Sequence, residues 1–142
     1  MLKLPTYSRW LIHEHNLASY YNSLLLSGEA PQVATLIKKD PANFTQLIAL
    51  LTTKGLPLSS RMGIGVVMEE LAGSEVLQNH IELLMPLTEH PDARLRADAC
   101  YYLELSGNPL ALPSVIACLQ DSDPSVRELA QDAVSFLKRQ QH

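Results

Sequence analysis

Val126-Arg127-Glu128-Leu129-Ala130 repeats the pattern of Leu95-Arg96-Ala97-Asp98-Ala99, 31 residues earlier: an aliphatic residue, an arginine, two variable positions and an alanine. The same offset sets Leu84 on Val115 and Leu87 on Cys118, so the stretches that precede these segments match as well. A looser copy, Ser60-Arg61-Met62-Gly63-Ile64, lies about 35 residues upstream of the first, and Glu70-Leu71-Ala72-Gly73 echoes Glu104-Leu105-Ser106-Gly107. A period of this length, built from two helices per unit, is the signature of a solenoid, in which each hairpin buries its apolar face against the next.

The chain between these copies reads as helix throughout. Apolar residues recur at spacings of three and four, as in Trp10, Leu17, Tyr21, Leu24 and Leu25, and no strict alternation persists over five residues. Gly28, Gly55, Gly73 and Gly107 each follow an apolar run, as a glycine just past a helix end should. Asp40-Pro41, Asn108-Pro109 and Asp123-Pro124 place a capping side chain before a proline that needs no helical donor. These marks predict about eight helices, near 7–27, 31–39, 42–54, 58–72, 75–89, 92–106, 109–120 and 124–140. Connections of two to four residues make neighbouring helices antiparallel. The expected fold is all-α, an α-solenoid of antiparallel helical hairpins in a single repeat domain over 1–142. Its repeats fall at roughly 42–73, 74–107 and 108–140, with 7–39 a diverged N-terminal hairpin or cap.

Composition bounds the function classes. Of 142 residues, 46% are hydrophobic and 18% charged, an ordinary globular balance for one domain. Eleven Lys and Arg stand against fifteen Asp and Glu, a net charge of −4. Residues 1–71 carry +1 and residues 72–142 carry −5, so the C-terminal half favours a basic partner and argues against nucleic acid. Two cysteines, Cys100 and Cys118, exclude a disulfide-stapled scaffold. No apolar run approaches a membrane span, and the N-terminus lacks the features of a signal peptide. A cytoplasmic location is the expectation.

The stretch from Ala111-Leu112-Pro113 through Leu119, followed by Asp121-Ser122-Asp123-Pro124-Ser125-Val126-Arg127-Glu128-Leu129-Ala130, resembles a HEAT repeat unit of the short kind also found in phycobilin lyase subunits. Residues 81–107 form a second copy and 42–73 a degenerate one. A narrower resemblance lies in Arg61-x-Gly63-x-x-Val66-Val67-x-Glu69-Glu70-Leu71, Asp98-x-x-Tyr101-x-Leu103 and Gly107-Asn108-Pro109. It is similar to HEAT segments appended to bacterial glutaredoxin-like domains, and implies a thioredoxin- or glutaredoxin-like partner. No Cys-x-x-Cys occurs in this chain to carry redox chemistry itself. The HEAT resemblance further implies that Arg61, Arg96 and Arg127 form a structural ladder with aspartates at inter-helix turns, where Asp92, Asp121 and Asp123 lie.

Catalytic constellations are not apparent, and neither a catalytic residue nor a cofactor is expected. His13 and His15 are two apart on a helix, so their imidazoles diverge, and no Cys/His set has zinc spacing. Glu69 and Glu70 are adjacent and diverge likewise. Cys100 and Cys118 fall in the packed seam as small hydrophobes. Gly63 and Gly65 inside a helix point to close helix approach.

One surface carries a functional expectation. Leu95, Ala99, Tyr102 and Leu103 occupy positions that are aliphatic or alanine in the next repeat and face neighbouring helices, which turns Arg94, Asp98, Tyr101 and Glu104 outward. Stacking would align Glu69, Glu104, Asp98 and Asp132 as an acidic strip, with Tyr101 and Val66 as apolar anchors. The expected function is a non-catalytic protein–protein interaction or scaffold module whose partner presents a basic or apolar surface, without nucleic acid or membrane binding. The alternatives are a phycobilin lyase-like enzyme or chromophore-handling factor, and a HEAT-like nucleic-acid-binding protein.

Overall fold

The computed structural model describes residues 17–141. Among them every regular element is helical: α1 over 17–26, α2 (Ala30–Lys39), α3 (Phe44–Leu51), α4 (Leu58–Glu70), α5 (Glu75–Gln78), α6 (Ile81–Leu84), α7 (Ala93–Ser106), α8 (Leu112–Ala117) and α9 (Pro124–Arg139), with short 3-10 turns between them. Trp10, His13 and His15 lie outside the described residues. The chain divides into two compact units between Val67 and Met68.

In the first unit, Tyr21, Leu25, Ile37, Phe44, Leu47 and Ile64 form a core almost closed to solvent. A Cβ at Gly63 would stand 3.0–3.1 Å from the Leu25 side chain, so this glycine lets α4 approach α1 as its place inside a helix predicts. One turn earlier, the fully buried Ser60 hydroxyl donates to Asn22 Oδ1 at 2.6 Å, which satisfies a polar group that burial would otherwise penalise.

The second unit is two helical hairpins behind the last turn of α4. α5, α6 and the 3-10 turn Met85–Glu89 form the first arm of one hairpin, and α7 the second. Pro109–Ala111, α8 and Cys118–Gln120 lead into α9 in the other. α7 and α8 both pack against α9, and the buried residues of the three include Leu95, Ala99, Cys100, Tyr102, Leu103, Val115, Val126, Ala130, Ala133 and Leu137.

Local chemistry sets the ends of these helices. Gly107 closes α7 at φ +64°, a left-handed conformation that costs a glycine nothing. Its counterparts at 28, 55 and 73 adopt the same conformation. Asn108 and Asp123 cap as expected, accepting from Leu110 N at 3.0 Å and from Ser125 N at 2.8 Å. Asp40 makes no side-chain capping bond.

Two predicted helices are broken. The stretch 75–89 splits at Asn79-His80, where His80 Nδ1 lies 2.7 Å from Val76 O and the His80 N–H turns to Leu77 O instead. It then tightens at Pro86, which has no N–H for the ladder. The stretch 109–120 is an α-helix of six residues between two 3-10 turns. Its buried residues Leu112, Val115 and Cys118 are spaced three and three, which turns Ile116 to solvent at 43% exposure. Ile116 is therefore not part of the core opposite α9.

Candidate interaction surface

α7 positions the central residues. Leu95, Ala99, Tyr102 and Leu103 are buried as expected, and the same helix leaves Arg94 exposed and Asp98, Tyr101 and Glu104 half-buried. The Tyr101 ring lies beside Tyr102, with centroids 5.8 Å apart and tilted by 46°. A buried tyrosine thus supports an accessible one.

The Tyr101 hydroxyl donates to Glu69 Oε2 at 2.6 Å, across 32 residues of sequence. The bond to that carboxylate comes first, then partial burial and the Glu69 and Glu104 charges, in pushing the phenol up to about 12. The proton therefore stays on Tyr101 at neutral pH, and the ring is held in one orientation. Glu104 has a raised carboxyl pKa, chiefly from burial and then from Asp132 on α9, with Arg139 acting in the opposite sense. Glu69 and Asp132 are exposed.

Of the predicted residues of the second unit, Glu69 and Tyr101 are joined by a hydrogen bond, and the Asp132 charge acts on Glu104. Asp98 is half-buried on the same helix, and Arg94 stands at its N-terminal end. Val66, 40% exposed, belongs to the first unit. Sequence reasoning missed Phe136 and Arg139, where the guanidinium carbon sits 5.8 Å from the ring centroid. Their spacing of four and seven from Asp132 puts all three on one face of α9 and is the signal that could have found them. The second unit carries twelve acidic residues against five basic ones, so its field favours cationic partners.

The arginine pattern is structural in a more selective way than expected. Arg96 Nε and Nη2 donate to the two carboxylate oxygens of Asp121 at 2.8 and 3.0 Å, and Nη1 donates to the carbonyls of His90 and Pro91. Arg127 Nη1 donates to the Asp121 carbonyl at 2.7 Å. Asp92 and Asp123, also proposed as rungs, accept from Arg94 N and from Ser125 N and cap α7 and α9. They sit at the N-cap, where a carboxylate meets unsatisfied backbone donors before it can reach a guanidinium. Arg61 lies in the first unit and is half-buried.

Both cysteines are buried. Burial, foremost, pushes both thiols up, and Cys118 Sγ points to Thr88 O at 3.6 Å. Among the described residues no group of three His, Cys, Asp or Glu side chains could hold a metal ion. None of the described helices is long and apolar enough to cross a membrane.

A family model of HEAT repeats matches residues 67–140, more than half of the chain. The chain belongs to the HEAT-repeat family. Its HEAT match covers nearly all of the second unit, the part in which the two hairpins stack and the arginine pattern repeats. No curated protein matches the chain. HEAT repeats commonly act as protein-interaction scaffolds, and the all-α hairpin architecture agrees with that use.

Proposed function

We propose that this HEAT-repeat protein is a non-catalytic interaction module, and that it binds a partner through the face built by Glu69, Arg94, Asp98, Tyr101, Glu104 and Asp132. The observation that carries this reading is the Tyr101–Glu69 hydrogen bond. It holds a surface aromatic ring in place among carboxylates, so little side-chain freedom remains to be lost on binding. An ordered tyrosine with surrounding charge is the make-up of an interface anchor, with charge governing encounter and the ring governing residence.

The partner in this reading is a protein with a basic surface that also offers an apolar contact for Tyr101. The likeness of Arg61 to Leu71, Asp98 to Leu103 and Gly107-Asn108-Pro109 to segments appended to glutaredoxin-like domains supports a thioredoxin- or glutaredoxin-like fold for it.

The test is quantitative affinity capture with the wild type and with the doubly substituted Asp98→Lys/Tyr101→Ala protein as bait. Proteins retained by the first and lost from the second, with the helical circular dichroism unchanged, meet the expectation. Equal recovery with both baits places the binding face elsewhere.

A further inference from the structure

The two buried cysteines lie in one register with the ion pair that joins the hairpins of the second unit. Arg96 and Cys100 are four apart on α7, and Cys118 and Asp121 are three apart across the 3-10 turn Cys118–Gln120, so each pair shares a face of its element. Arg96 grips Asp121 with bonds of 2.8 and 3.0 Å. One turn further along α7, Cys100 and Cys118 share a hydrogen bond with each other. The residue numbers rise along α7 as they fall along the turn, so the ion pair and the thiol pair are successive rungs of one antiparallel contact.

The thiols are ordered as well as paired. Burial comes first in raising both, and the bond between them acts in opposite senses, raising Cys100 and lowering Cys118, which makes the Cys100 S–H the donor. The Cys118 S–H is directed at the Thr88 carbonyl, 3.6 Å away. Cys100 has no exposed surface and Cys118 is 4% exposed. Of the charges nearby, Asp121 opposes a Cys118 thiolate and Arg96 favours it. Each cysteine alone packs as a small hydrophobe, but two thiols held together between different hairpins are one oxidation away from a covalent tie.

We propose that Cys100 and Cys118 are the site of a reversible disulfide, formed by hydrogen peroxide, that staples α7 to the hairpin after it. The Cys118 sulfur attacks a peroxide oxygen, the O–O bond breaks, and the thiol proton leaves with the departing hydroxide as the first water. The Cys100 sulfur then attacks the Cys118 sulfenic acid. The S–S bond forms, the S–O bond breaks, and the Cys100 proton leaves with the hydroxyl as the second water. Two thiols are oxidised to one disulfide and one peroxide is reduced to two waters. Because both sulfurs are shut from solvent, the first attack waits on an opening of the structure, and native packing on reclosing brings the second sulfur into place. The staple precedes Tyr101 directly in the chain, yet it stands independently of the function assigned to that face.

The experiment uses the full chain, reduced, freed of reductant and incubated overnight with excess hydrogen peroxide. Remaining thiols are alkylated in denaturant, and the protein is digested without reduction and mapped by mass spectrometry, so that oxidation of the exposed Met62 is read separately. The expected product is a cross-linked pair of peptides holding Cys100 and Cys118, recovered from monomeric protein. The oxidised chain should melt about 5–10 °C higher, because the cross-link restricts the unfolded chain. Dithiothreitol should return the lower value while leaving methionine oxidation in place. Cys100→Ala and Cys118→Ala should show neither the cross-link nor the reversible rise. Thiols left unreacted, sulfinic acid at either cysteine without the cross-link, a disulfide between two chains, or a cross-link that does not raise the melting temperature would each overturn the proposal.

Discussion

Arg96 and Asp121 face each other as a two-pronged ion pair, 2.8 and 3.0 Å between donors and acceptors, with side chains only 15% and 10% exposed. Asp121 is also the junction of two rungs. Its Oδ1 accepts the Asp123 N–H at 2.9 Å, and its backbone carbonyl accepts Arg127. One turn residue therefore holds the arginine before it by its side chain and the arginine after it by its main chain. A surface pair seldom contributes much, but this one is bidentate and shares its acceptor with the backbone, so it orders the turn as well as pairing charges.

Removal of the Asp121 carboxylate should destabilise the second unit as a function of pH. Arg96, first, and the Asp123 N–H hold the carboxyl below the ordinary aspartate range. A depressed folded-state pKa gives stability that is present above the unfolded value, about 4, and is lost as pH falls through the lower folded value. The difference in melting temperature between wild type and Asp121→Asn should be full near neutral pH and shrink below about pH 4. A difference constant from pH 7 to strongly acid solution would remove the ion pair as its cause.

Tyr101 gives the opposite sign. Its phenol is raised to about 12 by the bond to Glu69, so the stabilisation is complete below the unfolded value near 10 and lost as pH rises through the folded one. Tyr21 is also buried, and burial raises its phenol, so ultraviolet titration should show more than one tyrosine ionising late, and Tyr101→Phe should remove one of those late steps and leave that of Tyr21.

Val126 has no solvent-exposed surface and packs where α9 meets its neighbours. Val126→Asp would bury an unpaired carboxylate and should destabilise by about 3–5 kcal/mol, measured by urea unfolding. An unchanged midpoint would refute the register that places this residue in the seam.

The cysteines should react slowly. Both thiols are buried, and burial raises both pKa values. Labelling by a small disulfide reagent in native buffer should be on the order of a hundredfold slower than in denaturant, because it waits on an opening of the structure. Rapid native labelling of Cys100 would show an accessible thiolate.

Gly107→Ala should cost about 1 kcal/mol, because φ is +64° and an alanine side chain is strained there. The added Cβ would sit 4.0 Å from the Phe136 ring, so strain rather than collision accounts for the loss. A melting temperature equal to the wild type would contradict the left-handed helix end.

The sequence alone determined the period, the helical class, the glycine-closed ends and the buried places of Leu95, Ala99, Cys100, Tyr102, Leu103 and Cys118. Each of these depends on interactions within a few residues or on the side of a helix where apolar residues recur. It also placed Tyr101 and Glu104 outward, because three- and four-residue spacing suffices to divide a helix into faces. Only the tertiary structure decided which aspartate Arg96 grips, since Asp92, Asp121 and Asp123 look alike in sequence and differ in whether an N-cap claims them. It alone joined Tyr101 to Glu69, 32 residues apart, and brought Glu104 into the field of the Asp132 charge. It also turned Ile116 outward, because α8 tightens into a 3-10 turn and rotates Cys118 into the core. Local rules set a residue's face, whereas a pairing across repeats depends on how two backbones lie together to within an ångström or so.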